Sequence, residues 1–269
     1  MIPVKPKKSL GQHFLSDKNI AKKITSSLSC RGYDQVIEVG PGTGILTEFL
    51  LENDNFNLDL IEIDGESVDY LRKRFPDISN KISQKDFLKY SLDEKYSSPL
   101  AIIGNFPYNI SSQIFFKILE NKHLVIEVVC MLQKEVAERI TSQPGSKVYG
   151  ILSVLIQAFY KTEYLFSVGP QVFVPPPRVK SAVIKLTRNK EYSIACNEKL
   201  FFRVVKTAFN QRRKMLRNSL ASLLKGNPEK SEIQSDKLQY PVNELLSKRP
   251  EQLTVDEFVN LANLIDSLP

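Results

Sequence analysis

Residues Gly104 to Tyr108 read G-N-F-P-Y and follow the apolar run Leu100-Ala101-Ile102-Ile103, which reads as a buried strand. Loops at the carboxyl ends of strands in α/β sheets are where ligands bind. This one offers an amide acceptor at Asn105, a backbone carbonyl at Phe106, a fixed turn at Pro107 and a flat phenol at Tyr108. Taken alone, N-x-P-Y can equally be a turn whose tyrosine belongs to the core. The rest of the chain has to decide.

A second stretch, E-V-G-P-G-T-G at Glu38 to Gly44, ends an earlier apolar segment and opens a helical one. Closely spaced glycines at such a turn let the backbone pass against a ligand where a Cβ would collide. The spacing is G-x-G-x-G, unlike the dinucleotide pattern G-x-G-x-x-G, and Glu38 stands two residues before the first glycine, Gly40. S-adenosylmethionine (SAM) has no pyrophosphate and carries an ammonium group, so a carboxylate near the turn suits it better. Glu62 and Asp64 lie about 20 residues further on, where an acid accepts hydrogen bonds from ribose hydroxyls. Either can fill that place, with Glu62 preferred, and Asp86 in K-D-F-L can accept from an adenine amino group.

With a methyl donor beside it, the G-N-F-P-Y loop acquires a task. Adenine N6 is a poor nucleophile because its lone pair is delocalised into the ring. Acceptors fixed on its hydrogens favour the pyramidal nitrogen and the positive charge that develops during attack on a sulfonium methyl group. The Asn105 oxygen and the Phe106 carbonyl can supply these acceptors, Pro107 can hold the turn, and Tyr108 can stack on the base. No strong general base is needed, because the product nitrogen sheds its extra proton readily. Phe173, in V-F-V-P-P-P, could close the other face of a flipped base or simply pack within a hairpin.

A third feature is basic. Between Glu198 and Lys225 eight lysines and arginines face one acid, so this window holds the whole formal charge of +7. On helical spacing Arg203, Lys206, Arg213, Lys214 and Arg217 share an arc, with Phe201, Val204, Val205, Ala208 and Leu216 on the other side. Even with a break near Asn210 this makes a basic ridge on an apolar base, suited to tracking phosphates. Arg212 falls on the apolar side, for which the pattern gives no reason.

These groups require elements to hold them. Strand-like segments near Val36–Gly40, Asn57–Ile63, Lys81–Gln84, Ala101–Ile103 and Val125–Leu132 alternate with helical ones, which predicts βαβ units and a mainly parallel sheet. The stretch from Tyr164 to Leu186 reads as strand, Pro-fixed loop and strand, a hairpin closing the sheet. From about Asn197 only helical patterns follow, with Thr254 resembling a cap. At 269 residues, 42% of them hydrophobic and 25% charged, one large and one smaller globular domain are expected. No apolar run approaches the roughly 18 residues of a membrane span, and the start lacks the apolar core of a secretory signal, so a cytoplasmic protein is expected. Three scattered cysteines and two histidines argue for free thiols and against a zinc site or a His-dependent triad.

With these motifs in view, the chain resembles the small-subunit (16S) ribosomal RNA adenine N6,N6-dimethyltransferases, the family linked to kasugamycin sensitivity. The likeness runs nearly end to end, through K-K-S-L-G-Q-H-F-L at Lys7 to Leu15, the glycine turn, N-F-P-Y, V-F-V-P-P-P-R-V-K-S-A-V at Val172 to Val183, and F-N-Q-R-R-K-M-L-R-N-S-L at Phe209 to Leu220. The resemblance implies a Rossmann-like SAM-binding domain over residues 1–190, with helices on both faces of its sheet. A small all-helical RNA-binding domain would occupy 191–269. It implies dimethylation of two adjacent adenosines in a hairpin near the 3′ end of 16S rRNA, within the small (30S) subunit or its precursor; a monomer is expected. Carried over by motif, Gln12, His13 and Leu15 would lie by the methionine end of SAM and Gly40 at the turn. Glu62 would take the ribose, Asp86 the adenine, and Asn105 would touch both cofactor and target. Position 106 is Phe where the family usually has Leu, and position 13 is His where Asn is common. The rival readings are a large-subunit 23S rRNA adenine methyltransferase of the macrolide-resistance type, a DNA adenine or protein glutamine methyltransferase, and a ribosome-assembly factor for which methylation is secondary.

Overall fold

In the computed structural model, residues 4–189, 193–224 and 242–268 are described. Lys225, counted above in the basic window, lies outside them. The strands are β1 (Phe14–Leu15), β2 (Gln35–Val39), β3 (Asn57–Glu62), β4 (Ile82–Gln84), β5 (Leu100–Asn105), β6 (Val125–Gln133), β7 (Tyr160–Val168), β8 (Phe173–Val174) and β9 (Ser181–Arg188). Seven of them form one sheet in the order β4-β3-β2-β5-β6-β9-β7, while β1 and β8 pair separately. From β4 across to β6 all pairings are parallel, and β9 runs antiparallel to both β6 and β7. The expected hairpin is therefore present, with its second strand against the parallel sheet and its first at the edge.

The apolar runs that predicted these strands are runs because a sheet flanked by helices buries both of its faces. Val36, Ile37, Leu60, Ile61 and Leu100 to Ile103 are all buried. The helices between strands start and stop on local signals. Helix α1 (Lys18–Thr25) is capped by Asp17, whose carboxylate accepts from the N–H groups of Asn19 and Ile20. Such a cap contributes ~1 kcal/mol. Helix α2 (Ile45–Leu50) begins at Gly44, and α3 (Gly65–Arg74) ends at Phe75, just before Pro76. Helices α4 (Leu92–Lys95) and α5 (Ser111–Glu120) complete the connections.

The strand order contains one reversal. From β2 the chain moves outward to β3 and β4, whereas from β5 it moves the other way to β6. Neighbouring strands β2 and β5 thus flank a topological switch point, where diverging loops leave a crevice at the carboxyl ends. The two stretches singled out from the sequence, the glycine turn and G-N-F-P-Y, are the loops that end these two strands.

The chain divides into two compact units, one of residues 1–137 and 160–189, the other of 138–159 and 190–269. The domain bounds implied by the resemblance place residues 138–159 with the sheet. Their aromatic side chains explain the difference: Tyr149 packs against Phe209 with ring centroids 6.3 Å apart, and Phe159 against Phe202 at the same distance. The helical unit contains α6 (Lys134–Thr141) from residue 138 onward, α7 (Ile151–Gln157), α8 (Glu198–Asn210), α9 (Leu216–Ser219), α10 (Ala221–Leu224), α11 (Val242–Ser247) and α12 (Val255–Asp266). Thr254 does cap α12, in a reciprocal pair of bonds with Glu257. No helix among the described residues is long and apolar enough to cross a membrane.

Candidate active site

The crevice between the ends of β2 and β5 holds a cavity of about 280 Å³. Of the residues expected at a site, Gln12, His13, Gly40, Glu62, Asp86, Asn105, Phe106, Pro107 and Tyr108 all line it. Leu15 and Phe173 do not. Both are core residues, 4% and 2% exposed, because the pairing of β1 with β8 sets Leu15 opposite Phe173 and turns both side chains inward. Successive strand residues point to opposite faces, so it is Phe14, the neighbour of Leu15, that reaches the cavity.

Gly40, Gly42 and Gly44 all have positive φ, 69°, 56° and 76°. At Gly42 an added Cβ would lie 2.8 Å from the Phe14 ring, and its N–H donates to Glu62 Oε2 at 3.0 Å. The other Glu62 oxygen accepts from the N–H of Asp64 at 2.9 Å. Burial raises the Glu62 pKa and these backbone N–H groups oppose the rise. Each oxygen keeps a lone pair after one bond, so a carboxylate lining the cavity can still accept from a diol. Asp64, the alternative, is committed elsewhere. It pairs with Lys7 and accepts from Ser67 and, at 3.4 Å, from Gln12, which secures the N-terminal segment. Glu62, the preferred acid, lines the cavity, and Asp64 does not.

Glu38 departs from expectation. Its carboxyl group is 1% exposed, accepts from Thr47 Oγ1 at 2.6 Å and is not part of the cavity lining. Burial pushes its pKa from 4.5 up to about 8, so it holds its proton at neutral pH and is no match for an ammonium group. A folded pKa above the unfolded value means that stability present below about pH 4.5 is lost as pH rises toward 8, because only the unfolded chain releases the proton. Glu38→Gln has no proton to lose. Urea unfolding at pH 6 and pH 7.5 should therefore show the parent losing up to ~1.4 kcal/mol per pH unit more than the variant; equal losses would rule out a buried neutral acid.

At the end of β5, Asn105 is half-buried and its Nδ2 donates to the carbonyl of His13 at 2.9 Å. That bond fixes which end of the amide is which: Oδ1 accepts no hydrogen bond from the described residues and is left as an acceptor. The Phe106 N–H is held by Met131 O at 2.9 Å, while the Phe106 carbonyl likewise accepts none. The Phe106 ring is 1% exposed and meets Phe115 edge-on, so the larger residue at this position is absorbed by the core. Tyr108 shares a 2.5 Å hydrogen bond with Ser181 Oγ and stacks on the His13 ring. Asp86 lines the cavity and caps the turn at Phe87–Lys89 through Leu88 N–H. Sequence reasoning missed Phe14, Ile63, Lys85 and Phe87 in the lining. Ile63, 49% exposed directly after Glu62, carried a readable signal, an apolar side chain at a strand end with nothing in the core to cover it.

These residues fit SAM. The glycine turn leaves room at Gly40, where a Cβ would find its nearest neighbour, the Asn105 carbonyl, at 4.0 Å. Gln12, Glu62 and Asp86 supply polar groups in the lining, and Phe14, Ile63 and Phe87 supply apolar walls for an adenosine.

The five basic residues expected on a ridge, Arg203, Lys206, Arg213, Lys214 and Arg217, are all exposed, while Phe201, Val204, Val205, Ala208 and Leu216 are buried. Helix α8 does stop at Asn210, and Arg213 and Lys214 follow in a turn. Arg212 has its reason in the same unit: its guanidinium donates to the carbonyls of Ser146 and Lys147, at 3.3 and 2.5 Å, and lies 3.9 Å from Glu251. It braces a loop, which no helical pattern around it could reveal.

Comparison with known proteins bears on the whole chain. Ribosomal RNA small subunit methyltransferase A of Flavobacterium johnsoniae is 55% identical over 268 residues, covering 99% of this chain and 98% of the relative. The protein of the same name from Bacteroides thetaiotaomicron is 52% identical over 264 residues, covering 98% and 95%. Among solved structures, a dimethyladenosine transferase from Plasmodium falciparum superposes with a TM-score of 0.77 at 26% identity, over 93% of this chain and 96% of that one. The 23S rRNA methyltransferase ErmE shares the fold, with a TM-score of 0.65 at 23% identity over 93% and 99%. The family model described as ribosomal RNA adenine dimethylase matches residues 4–264. A likeness that spans both units and every motif leaves one assignment, and the chain belongs to the ribosomal RNA adenine dimethylase family.

Proposed function

We propose that this protein dimethylates N6 of two adjacent adenosines in a hairpin near the 3′ end of 16S rRNA, using SAM. The observation that carries the reading is the orientation of Asn105, whose Nδ2 is spent on His13 O so that Oδ1 is left as an acceptor beside the crevice. When bound, SAM supplies an electrophilic methyl group on a sulfonium. Gln12 and His13 belong beside its methionine end, Gly40 at the turn, Glu62 at the ribose and Asp86 at the adenine.

Asn105 Oδ1 and the Phe106 carbonyl would each accept one N6 hydrogen and so stabilise positive charge developing on that nitrogen. Pro107 holds the two acceptors in one turn, and Tyr108 offers its ring to the base. Once the nitrogen is alkylated its proton leaves to water, so the chain needs no buried base here. Phe173 would take part in stacking only if β8 parted from β1, so the proposal gives it a core role.

The substrate would be the small ribosomal subunit or its precursor, met in the cytoplasm by a monomer. The large-subunit reading is not favoured, since the relatives at about half identity carry the small-subunit name. Incubation with SAM and small subunits lacking these methyl groups, followed by digestion and mass spectrometry, should yield N6,N6-dimethyladenosine at two neighbouring positions. Methylation of 23S rRNA alone would replace this reading with the resistance type. Binding of subunits with neither RNA methylated would favour an assembly factor.

The ridge has its own test. Arg213, Lys214 and Arg217 replaced together by glutamine should weaken subunit binding and lower the slope of log affinity against log salt by about 2, as expected for three lost phosphate contacts. An unchanged slope would remove the ridge from the RNA interface.

A further inference from the structure

We infer that the side chain of His13 is a positioning residue for methyl transfer, backing one face of Tyr108 so that the phenol offers the target base a single fixed face. The inference rests on the function proposed above. The two rings have centroids 5.5 Å apart and are inclined by 28°. A stacked pair at that spacing leaves no room for a third ring between them. Each ring is also pinned from behind, His13 through Nδ1 at 2.7 Å from Pro175 O, and Tyr108 through its hydroxyl at 2.5 Å from Ser181 Oγ. The pair is thus a block held at both ends by the segment that leads into β9.

A further observation points to His13. Phe173, the other aromatic candidate for this site, is turned into the core, which leaves His13 as the ring that meets Tyr108. The His13 carbonyl that orients Asn105 is present whatever the side chain, so substitutions at 13 leave that bond in place. Freed from its backing, Tyr108 can tilt, and the base resting on it moves relative to the Asn105 acceptor. A misplacement of about 1 Å costs up to ~10²-fold in rate.

The test is a set of single-turnover rates on small subunits lacking the methyl groups, with SAM affinity measured by calorimetry on the same preparations. His13→Ala and His13→Asn should each lower the rate at saturating SAM about tenfold, over and above any weakening of SAM binding that follows from the place of His13 in the crevice. His13→Phe, which keeps a ring, should recover most of the loss. In a Tyr108→Ala background His13→Ala should add little, since its effect passes through the missing ring. Independently of activity, Tyr108→Ala should shift the His13 ring-proton resonances. The role is overturned if His13→Asn matches the parent while His13→Phe is as slow as His13→Ala, if the His13→Ala loss persists in full without Tyr108, or if only SAM affinity changes. A parent protein that transfers no methyl group to the subunits would overturn the functional reading itself, and this role with it.

Discussion

Asn105→Ala should lower the rate of methyl transfer by about 10²–10³-fold at saturating SAM, the loss typical of removing one preorganised polar group aimed at developing charge. The side chain does two things at once, since its Nδ2 is anchored on His13 O and its Oδ1 is thereby turned outward. Alanine removes the acceptor, and no neighbouring side chain in the G-N-F-P-Y loop can replace it. Asn105→Asp is the sharper variant. A carboxylate is a stronger acceptor for an N6 hydrogen, yet it has no proton for His13 O, so two acceptors would face each other across 2.9 Å. We expect Asn105→Asp to be nearly as slow as Asn105→Ala, which separates orientation from simple acceptor strength. Because Asn105 also lines the cofactor crevice, the measurement must split rate from affinity. Recovery of the full rate at high SAM would show that Asn105 serves cofactor binding only and would sink its role in the chemical step.

The parts of this molecule that were legible in the sequence are those whose signal is local. Strands β2, β3, β5 and β6 announced themselves as largely apolar runs, since both faces of a flanked sheet are buried, and the cap at Thr254 was readable because a cap bonds within its own first turn. The crevice was legible for a topological reason. Two motifs ending two strands become one site only if the strands are neighbours at a switch point, which the βαβ alternation made reasonable. What could not be read depends on distant partners. Phe173 and Leu15 took the core because a pairing of two residues on each side, separated by well over a hundred positions, decides which way they face. Residues 138–159 joined the helical unit through rings whose partners come after residue 200. Glu38 looked like a charged group beside the turn, but its surroundings leave it neutral, and charge state is a property of burial rather than of residue type.

Gly104, the first residue of the G-N-F-P-Y stretch, drew no attention as a glycine, yet Gly104→Ala should be the most destabilising single substitution in this region. A Cβ at this position would lie 2.4 Å from the carbonyl oxygen of Val39 and 3.2 Å from the Phe106 ring. The first neighbour is backbone of the adjacent strand, so it cannot swing aside as the end of a long side chain would. Relief requires β2 and β5 to part at their carboxyl ends, where Gly40 and Asn105 stand on either side of the crevice. Overpacking a core costs ~1–3 kcal/mol when side chains can adjust, and here the cost should lie at or above the top of that range. Urea denaturation should show a midpoint well below that of the parent, and calorimetry should show SAM binding lost together with stability, since the same two strand ends carry both. A Gly104→Ala protein with parental stability and SAM affinity would mean that β2 and β5 do not approach this closely, and the crevice built on their junction would have to be redrawn.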